Sequence, residues 1–407
     1  MSTAIKIAVL TDLHAYAETP TSGKPSWLCT TADQNNPKIN PFAGAQSLVK
    51  GGKWGPLSAD VVICCGDLGD KAHPDAQQYA WREVHALATC LGAGIVIGTA
   101  GNHDVDSRYE HNDYDAKGQL LSLRPRFPID DETKWLEYWA KNYTTLDVGL
   151  VRFLALNSAA YHGGGKSQAE EFEHGRVSNS TLDSIIADLD AQGPRPANIL
   201  ICHHHPYKND VIKLDDYSGM RDGDLLINRL SSSNLGPWMV IHGHKHLPRL
   251  FYALGGNLMP TIFSAGSFAA RLYPELQDLA RNEFYIIELE VPPETGLVSS
   301  LRGRIKAWQW SYGNGWIQPQ AGVGLGREAA FGARADLGTM ASSVAGHLKT
   351  TSAGQAVPWG SITAFDTGAG YLIPEDLKHF LELLQTKHSI RVLRDDQSGE
   401  LVEVQVP

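Results

Sequence analysis

The stretch "AVLTDLHAY", residues 8–16, begins as a buried strand and ends in a carboxylate and an imidazole. Its apolar residues continue the run "IKIAVL", which is typical of a strand inside a sheet. Alternate residues of an extended chain share one face, so Asp12 and His14 can point at the same object. That object could be a metal ion, although Asp-x-His also occurs at ordinary strand ends.

Similar apolar runs recur along the first 270 residues, with helical patterns between them. The runs are "VVICC", "GIVIGTA", "VRFLALNS", "NILICH", "WMVIHG" and "TIFSAG". Between two of them, Ala80, Val84, Leu87 and Leu91 form an apolar stripe at helical spacing. This alternation of short buried strands and amphipathic helices predicts an α/β protein.

Polar clusters of one kind follow these strands. They are Gly66-Asp67 with Asp70, then Gly101 to Asp104, then His203 to Pro206, and finally Gly243-His244 with His246. Loops at the carboxyl ends of strands are the usual place for a site in an α/β sheet. Each cluster alone could be a turn, but the ordered set predicts a single site where Asp12 and His14 are joined by the others.

The ordered motifs Asp-x-His, Gly-Asp, Gly-Asn-His-Asp, His-x-Pro and Gly-His-x-His resemble the calcineurin-like metallophosphoesterases over residues 5 to about 270. The resemblance implies an α/β/β/α sandwich of two packed mixed sheets flanked by helices. It also implies two metal ions that share Asp67. One ion would be held by Asp12, His14 and His246, and the other by Asn102, His204 and His244.

The choice of His204 among three adjacent histidines rests on the family pattern. In that pattern the ligand stands two residues before a proline, and Pro206 makes this position His204. His203 and His205 would lie on the opposite side of an extended chain, as packing or outer residues. His242, before the glycine of the last motif, is expected to be structural.

A phosphate ester is anionic and repels hydroxide, which gives an independent reason for two metal ions. Two metals can generate a bridging hydroxide as nucleophile and stabilise the charge that develops on the phosphoryl group. The mixture of carboxylate, imidazole and amide ligands suits divalent or mixed-valence Mn, Fe, Zn or Co without choosing among them.

The resemblance implies a catalytic role for His103, which would protonate the leaving oxygen or stabilise the phosphoryl charge. Asp70 would orient His103 and raise its pKa, although Asp70 could instead cap the following helix. Protein Ser/Thr phosphatases of this superfamily have Arg-Gly after the second acid and Glu after Gly-Asn-His, whereas this chain has Lys71 and Asp104 at these positions. Purple acid phosphatases have a Tyr three residues after the bridging Asp, where this chain has Asp70. These differences leave the broad group of phosphodiesterases, nucleases and small-molecule phosphatases, among which the sequence favours a phosphodiesterase or nuclease-like branch.

Substrate contacts are expected in the long connections between strands. Arg108, Tyr207 and Lys208 are the candidates, because a cation can meet phosphate and an aromatic ring can stack on a base. A net charge of −10 favours a small phosphoester, possibly a nucleotide, and disfavours long nucleic acid without excluding it.

The five cysteines lie mostly in apolar runs and predict a reduced, cytoplasmic protein. No segment of the sequence approaches the length of a membrane span, so no membrane contact is expected. We expect three parts: a catalytic domain over 1–319, a Gly/Ala/Ser-rich linker or loosely packed segment over 320–356, and a helix and hairpin over 357–407. This C-terminal appendage should dock on the main domain or on a second copy of the chain.

The sequence as a whole predicts a dinuclear metal-dependent phosphodiesterase that acts on a small or nucleotide-like substrate. One alternative is a nuclease for single-stranded or terminal nucleic acid. The other is a catalytically inactive binding scaffold of the same fold.

Overall fold

A computed structural model describes residues 3–18, 23–51, 55–164, 173–207, 218–255, 259–291, 301–319, 322–395 and 400–407. Its strands are β1 (Thr3–Leu10), β2 (Val61–Cys64), β3 (Ile95–Gly98), β4 (Tyr143–Val148), β5 (Val151–Leu156), β6 (Ala197–Ile201), β7 (Trp238–His242), β8 (Arg249–Tyr252), β9 (Thr261–Ser264), β10 (Glu283–Val291), β11 (Arg302–Ser311), β12 (Gly315–Ile317), β13 (Glu328–Phe331), β14 (Ala356–Pro358), β15 (Arg391–Arg394) and β16 (Leu401–Gln405). Its helices are α1 (Pro41–Val49), α2 (Pro74–Leu91), α3 (Gly118–Ser122), α4 (Glu132–Lys141), α5 (Asn179–Gln192), α6 (Gly223–Ser232), α7 (Leu337–Thr351), α8 (Trp359–Phe365) and α9 (Pro374–His388).

Two mixed sheets form the catalytic part of the chain. The first has the order β12-β11-β10-β1-β2-β3, and β13 also pairs with β11. In it, β1, β2 and β3 run parallel and β10 runs antiparallel to β1. The second sheet has the order β4-β5-β6-β7-β9-β8, with β5, β6, β7 and β9 parallel.

Strand alternation sorts the apolar residues into layers. Along β1, Ile7 and Val9 face the second sheet and pack in one core with Ile199 and Ile241. The intervening residue Ala8 faces outward, into the core beneath α1 and α2. The outer face of the second sheet packs against α5 and α6. The predicted α/β/β/α sandwich is confirmed.

Helix ends follow ordinary capping chemistry. Pro74 occupies the first turn of α2, and Gly92 ends this helix with a left-handed φ of 72°. The side chain of Ser178 accepts a hydrogen bond from Thr181 N at the start of α5.

The structure differs from the linker expected over 320–356. In the described part of this segment, β13 pairs with β11 and α7 runs for 15 residues from its N-cap Asp336. Ala341 and Ala345 are buried in the core that α7 shares with α9. The small residues therefore allow close helix packing, whereas their abundance in the sequence indicated flexibility.

The described residues from 333 onward form a unit with its own apolar core. The helix expected at Pro374 is α9, and β15 and β16 pair antiparallel, with β14 as a third strand. The turn expected at residues 398–399 lies outside the described residues. Met340, Val344 and Phe380 are among the core residues of this C-terminal unit.

The C-terminal unit docks on the catalytic part. The hydroxyl of Tyr252 donates to Ala333 O at 3.1 Å and accepts from Gly332 N at 2.9 Å. The Tyr371 hydroxyl donates to the carboxylate of Glu290, and Ile373 packs in the core between the sheets. These contacts agree with the first of the two docking surfaces expected for the appendage.

All five cysteines are free thiols. Among the residues that the structure describes, no helix has both the length and the apolar character that crossing a bilayer requires.

We expect Val344→Asp to destabilise the C-terminal unit by roughly 3 kcal/mol or more, because Val344 is fully buried and the new carboxylate would lack a partner. Thermal unfolding followed by circular dichroism measures the effect. The neighbouring exposed change Ser343→Asp is the control and should stay within about 0.5 kcal/mol of the wild type. Equal losses in both variants would contradict the described packing.

Candidate metal centre

The loops that follow β1, β2, β3, β6 and β7 converge at one edge of the two sheets. Backbone hydrogen bonds join the first two loops, from Asp12 N to Gly66 O at 3.0 Å and from Leu13 N to Asp67 O at 2.8 Å. The loop after β7 joins them, since His244 N donates to the Asp12 carboxylate at 3.1 Å. Residues separated by more than 200 positions thus form a single site.

The first predicted ligand group comes together as expected. Asp12, His14 and His246 are buried, and their donor atoms lie within 4.8 Å of one another. Nε2 of His246 is 3.2 Å from Asp12 Oδ1, and Nε2 of His14 is 3.9 Å from the same oxygen.

The second group surrounds the side-chain oxygen of Asn102. Nδ1 of His244 and Nε2 of His203 each lie 3.1 Å from Asn102 Oδ1. Oδ2 of Asp67 is 3.3 Å from His203 Nε2 and 3.4 Å from His14 Nε2. The Asp67 carboxylate therefore lies between the two groups, in the position predicted for a shared ligand.

His203 was expected to have a packing or outer role, but its ring points into the centre. Nδ1 contacts Cys65 O at 2.7 Å, which leaves Nε2 directed at Asn102 and Asp67. The strand alternation explains this orientation, because Ile201 faces the core between the sheets and His203 is two residues further on. The alternation of inward and outward residues along this strand can be read from the sequence, and it could have shown that His203 faces the centre.

His204 also lies at the centre, with its ring centroid 4.9 Å from that of His203 and 4.7 Å from that of His244. Its Nδ1 is 2.8 Å from Ser158 Oγ, and its buried Nε2 has no hydrogen-bond partner among the described residues. The donor atoms of His203, His204 and His244 lie within 4.8 Å of one another. Two adjacent histidines are therefore within reach of the second group, whereas His242 is buried with Nδ1 3.0 Å from Gly243 O.

The protonation states suit metal binding. Burial and neighbouring imidazoles hold the pKa values of His204 and His244 well below the usual range, so both rings are neutral with a lone pair available. Burial opposes ionisation of Asp12, yet attraction by His246 lowers its pKa well below the usual value. The pKa of Asp67 is lowered in the same way, against burial, chiefly by His203. Burial lowers the pKa of His203, but attraction by Asp67 outweighs it and raises the pKa to about 9, so a cation that binds here would displace this proton. The neutral rings of His204 and His244 beside ionised carboxylates form a donor set that fits transition-metal ions.

Five candidate ligands have left-handed backbone conformations. The φ angles are 54° at Asp12, 46° at His14, 55° at Asp67, 74° at His244 and 56° at His246. Residues with a Cβ rarely adopt such angles, and strain of this kind concentrates at functional sites.

Asp104 holds the loops in this conformation. Its carboxylate accepts hydrogen bonds from Asp67 N at 2.7 Å, Leu68 N at 2.7 Å and Gly101 N at 2.9 Å. Sequence reasoning included Asp104 in a motif but missed this positioning role, because the backbone donors lie mostly in another loop.

A family model described as calcineurin-like phosphoesterase matches residues 5–248, which is more than half of the chain. The chain belongs to the calcineurin-like phosphoesterase family. The match covers every candidate ligand named above. A comparison with curated proteins finds no match.

Two solved structures are similar to this phosphoesterase at low identity. Phosphopantetheinyl hydrolase from Mycobacterium tuberculosis is 13% identical with a TM-score of 0.34, covering 65% of this chain and 90% of that chain. A cold-active protein-tyrosine phosphatase from a psychrophilic Shewanella species is 14% identical with a TM-score of 0.28, covering 70% and 77% of the two chains. At TM-scores this low, neither similarity supports a conclusion about the function of this chain.

His103 and Asp70 of the phosphoesterase form the predicted pair. Nδ1 of His103 lies 3.3 Å from Asp70 Oδ1, and 33% of the His103 side chain is exposed, so a substrate can reach it. Burial lowers the pKa of His103, but attraction by Asp67 and the hydrogen bond to Asp70 outweigh it and raise the pKa overall.

The three candidate substrate-binding residues of the phosphoesterase differ in where they lie relative to the metal centre. Arg108 lines a cavity of about 210 Å³ that Lys71, Asn102 and His103 also line, so it is beside the metal centre. Tyr207 packs against the core beneath α5 and α6, which favours a structural role. Lys208 lies outside the described residues.

Tyr273 is an aromatic residue near the site that sequence reasoning missed. Its side chain is exposed, and its ring lies parallel to that of His246 with centroids 6.3 Å apart. In the sequence, Tyr273 is a single aromatic residue outside the motifs, which is a weak signal for a site residue.

We expect Gly243→Ala to abolish binding at the first group of ligands. A Cβ at Gly243 would overlap Thr11 Oγ1 and lie 2.5 Å from Asp12 Oδ2, so the ligand loops must move apart. Elemental analysis of the Mn-loaded protein measures the loss. The control Gly346→Ala, whose Cβ would meet nothing within 4 Å, should keep its metal, and retention by both variants would contradict the described geometry.

Proposed function

We propose that the chain is a dinuclear metal-dependent phosphodiesterase that acts on a small or nucleotide-like substrate. The observation that carries the proposal is the Asp67 carboxylate, which lies within 3.4 Å of a nitrogen ligand from each of two groups. A carboxylate shared in this way is the arrangement that a two-metal site requires.

The proposal assigns the ligands by atom. The first site uses Asp12, His14 and His246, and the second uses Asn102, His203 and His244, with Asp67 common to both. His203 replaces the His204 of the sequence pattern because its Nε2 is within 3.3 Å of both oxygen ligands. His204 becomes a neighbouring imidazole held by Ser158.

Two bound Mn, Fe, Zn or Co ions would lower the pKa of a water molecule and offset charge on the phosphoryl oxygens. The remaining chemistry belongs to His103. Its Nδ1 lies 3.3 Å from Asp70 Oδ1, and its Nε2 would deliver a proton to the departing oxygen. The contact with Asp70 favours the protonated imidazole.

Substrate size and charge follow from the surroundings of the centre. The cavity beside His103 is small, and its lining holds two cations, Lys71 and Arg108, which suit a phosphate oxygen. Three acidic residues line the same cavity: Asp106, Glu110 and Glu173. The net charge of −10 works against long nucleic acid, so a small diester is favoured over a nuclease substrate.

The ligand assignment is tested by metal content. Mn-loaded wild-type protein should carry about two ions per chain, His203→Ala about one, and His204→Ala about two. The exposed control His379→Ala should match the wild type. Loss of an ion from His204→Ala but not from His203→Ala would identify His204, and not His203, as the metal ligand. An absence of bound metal in the wild type would leave only a binding scaffold.

The role of His103 is tested by leaving group. His103→Ala should keep both ions and lose roughly 10²- to 10⁴-fold in turnover on a diester with an alkoxide leaving group. The loss should be much smaller on bis-p-nitrophenyl phosphate, because nitrophenolate leaves without a proton. Asp70→Asn should follow the same trend more weakly. Equal losses on both substrates would rule out proton delivery by His103.

A further inference from the structure

A cleft separates the C-terminal unit from the edge of the first sheet. It is lined by the loop 322–327, β13, Trp359, residues 369–372, the first turn of α9 and the facing ends of β15 and β16, and we call it the C-terminal cleft. Its volume of about 640 Å³ is in the range of pockets that hold small ligands, which often lie between structural units.

The C-terminal cleft is separate from the metal centre. Strand β13 is three strands away from β1, through β11 and β10, which corresponds to about 14 Å at ordinary strand spacing. It pairs with Gly303–Lys306 at the beginning of β11, whereas the metal centre lies beyond the end of β1. Among the described residues, none that lines the cleft also lines the cavity beside His103.

The walls of the cleft carry an excess of positive charge. The lining contains four cationic side chains and two carboxylates, on a chain whose net charge is −10. The cations are Arg304, Arg327, Lys378 and Arg394, and the carboxylates are Glu328 and Glu400. Two ion pairs use both carboxylates, Arg304 with Glu328 at 2.7 Å and Arg327 with Glu400 at 3.0 Å. A ligand that complements this surface is an anion.

One wall is the glycine-rich loop "GVGLGR", residues 322–327. Gly322, Gly324 and Gly326 have φ angles of 80°, 69° and 80°, which glycine adopts without strain. A Cβ at Gly322 or Gly326 would meet nothing within 4 Å, so the backbone is open to close approach at these two glycines. Gly324 between them faces the Glu283 carboxylate, and its N–H donates to Leu279 O at 3.0 Å. Exposed backbone of this kind next to an arginine is suited to a phosphate group.

Part of the cleft lining is apolar. Trp359 at the start of α8 is half-buried and packs edge-on against Phe380, with ring centroids 6.4 Å apart. Leu372 and Leu377 also line the cleft. An indole with a partly exposed face can stack on a planar ring.

We propose that the C-terminal cleft binds a mononucleotide, with its phosphate against the glycine-rich loop and the cationic rim and its base on Trp359. This binding does not depend on the proposed phosphodiesterase activity. It would bridge loop 322–327 and α9, and so connect the two units of the chain.

The test is isothermal titration calorimetry of the full chain with adenosine 5′-monophosphate. Because the proposed metal centre can also take up a nucleotide, the cleft is measured in Asp67→Asn, where one equivalent of the nucleotide should remain bound. Lys378→Glu should weaken binding about tenfold or more. The control Lys349→Glu, another exposed lysine on a helix of the same unit, should stay within about twofold. Trp359→Leu, with thermal unfolding to confirm its fold, should also bind more weakly.

Several outcomes would overturn the proposal. They are no binding at about millimolar nucleotide, binding lost in Asp67→Asn, binding unchanged in Lys378→Glu, or inorganic phosphate binding as tightly as the nucleotide. A doubled mass in analytical ultracentrifugation that Lys378→Glu reduces to the monomer would assign the cleft to a second copy of the chain and equally overturn it.

Discussion

Three backbone N–H groups donate to the buried carboxylate of Asp104, and the geometry of the metal centre depends on this interaction. The donors come from the loop after β2, at Asp67 and Leu68, and from the loop after β3, at Gly101. Burial and repulsion by Asp67 raise the pKa of Asp104 to about 7, so these hydrogen bonds are strongest above that pH, where the acceptor is charged. Asp104 thereby fixes the distance between Asp67 and Asn102, which the second ligand group requires.

The same loops carry backbone strain that the surrounding contacts support. Left-handed conformations at non-glycine residues cost roughly 1–3 kcal/mol each, and five candidate ligands adopt them. Glycine is needed where loops approach most closely, since a Cβ at Gly101 would overlap Asp67 Oδ1. Rigid loops on parallel strands hold the donor atoms ready before any cation binds, which reduces the reorganisation that binding requires.

Buried hydrogen bonds also tie the C-terminal side of the first sheet to this centre. Gln309 donates both to Val323 O and to Glu283, and the Tyr285 hydroxyl donates to Glu283 at 2.7 Å. Tyr285 in turn accepts from Gly266 N at 2.8 Å, in the segment whose next residue, Ser267, donates to Asp12 O. Burial raises the pKa of Glu283 to about 7. Loop 322–327 and the first metal-ligand group therefore belong to one connected polar network.

The sequence by itself determined the strands, the layers and most of the candidate ligands. Alternation placed Ile7 and Val9 inward, and short motifs after the strands marked Asp12, His14, Asp67, Asn102, His244 and His246. These features are local, because one strand and its following loop specify each of them. Only the tertiary structure decided what depends on distant partners. The His203 ring turns inward where Cys65 O from another sheet holds it, Asp104 works through donors in a separate loop, and α7 is ordered because α9 covers its small residues.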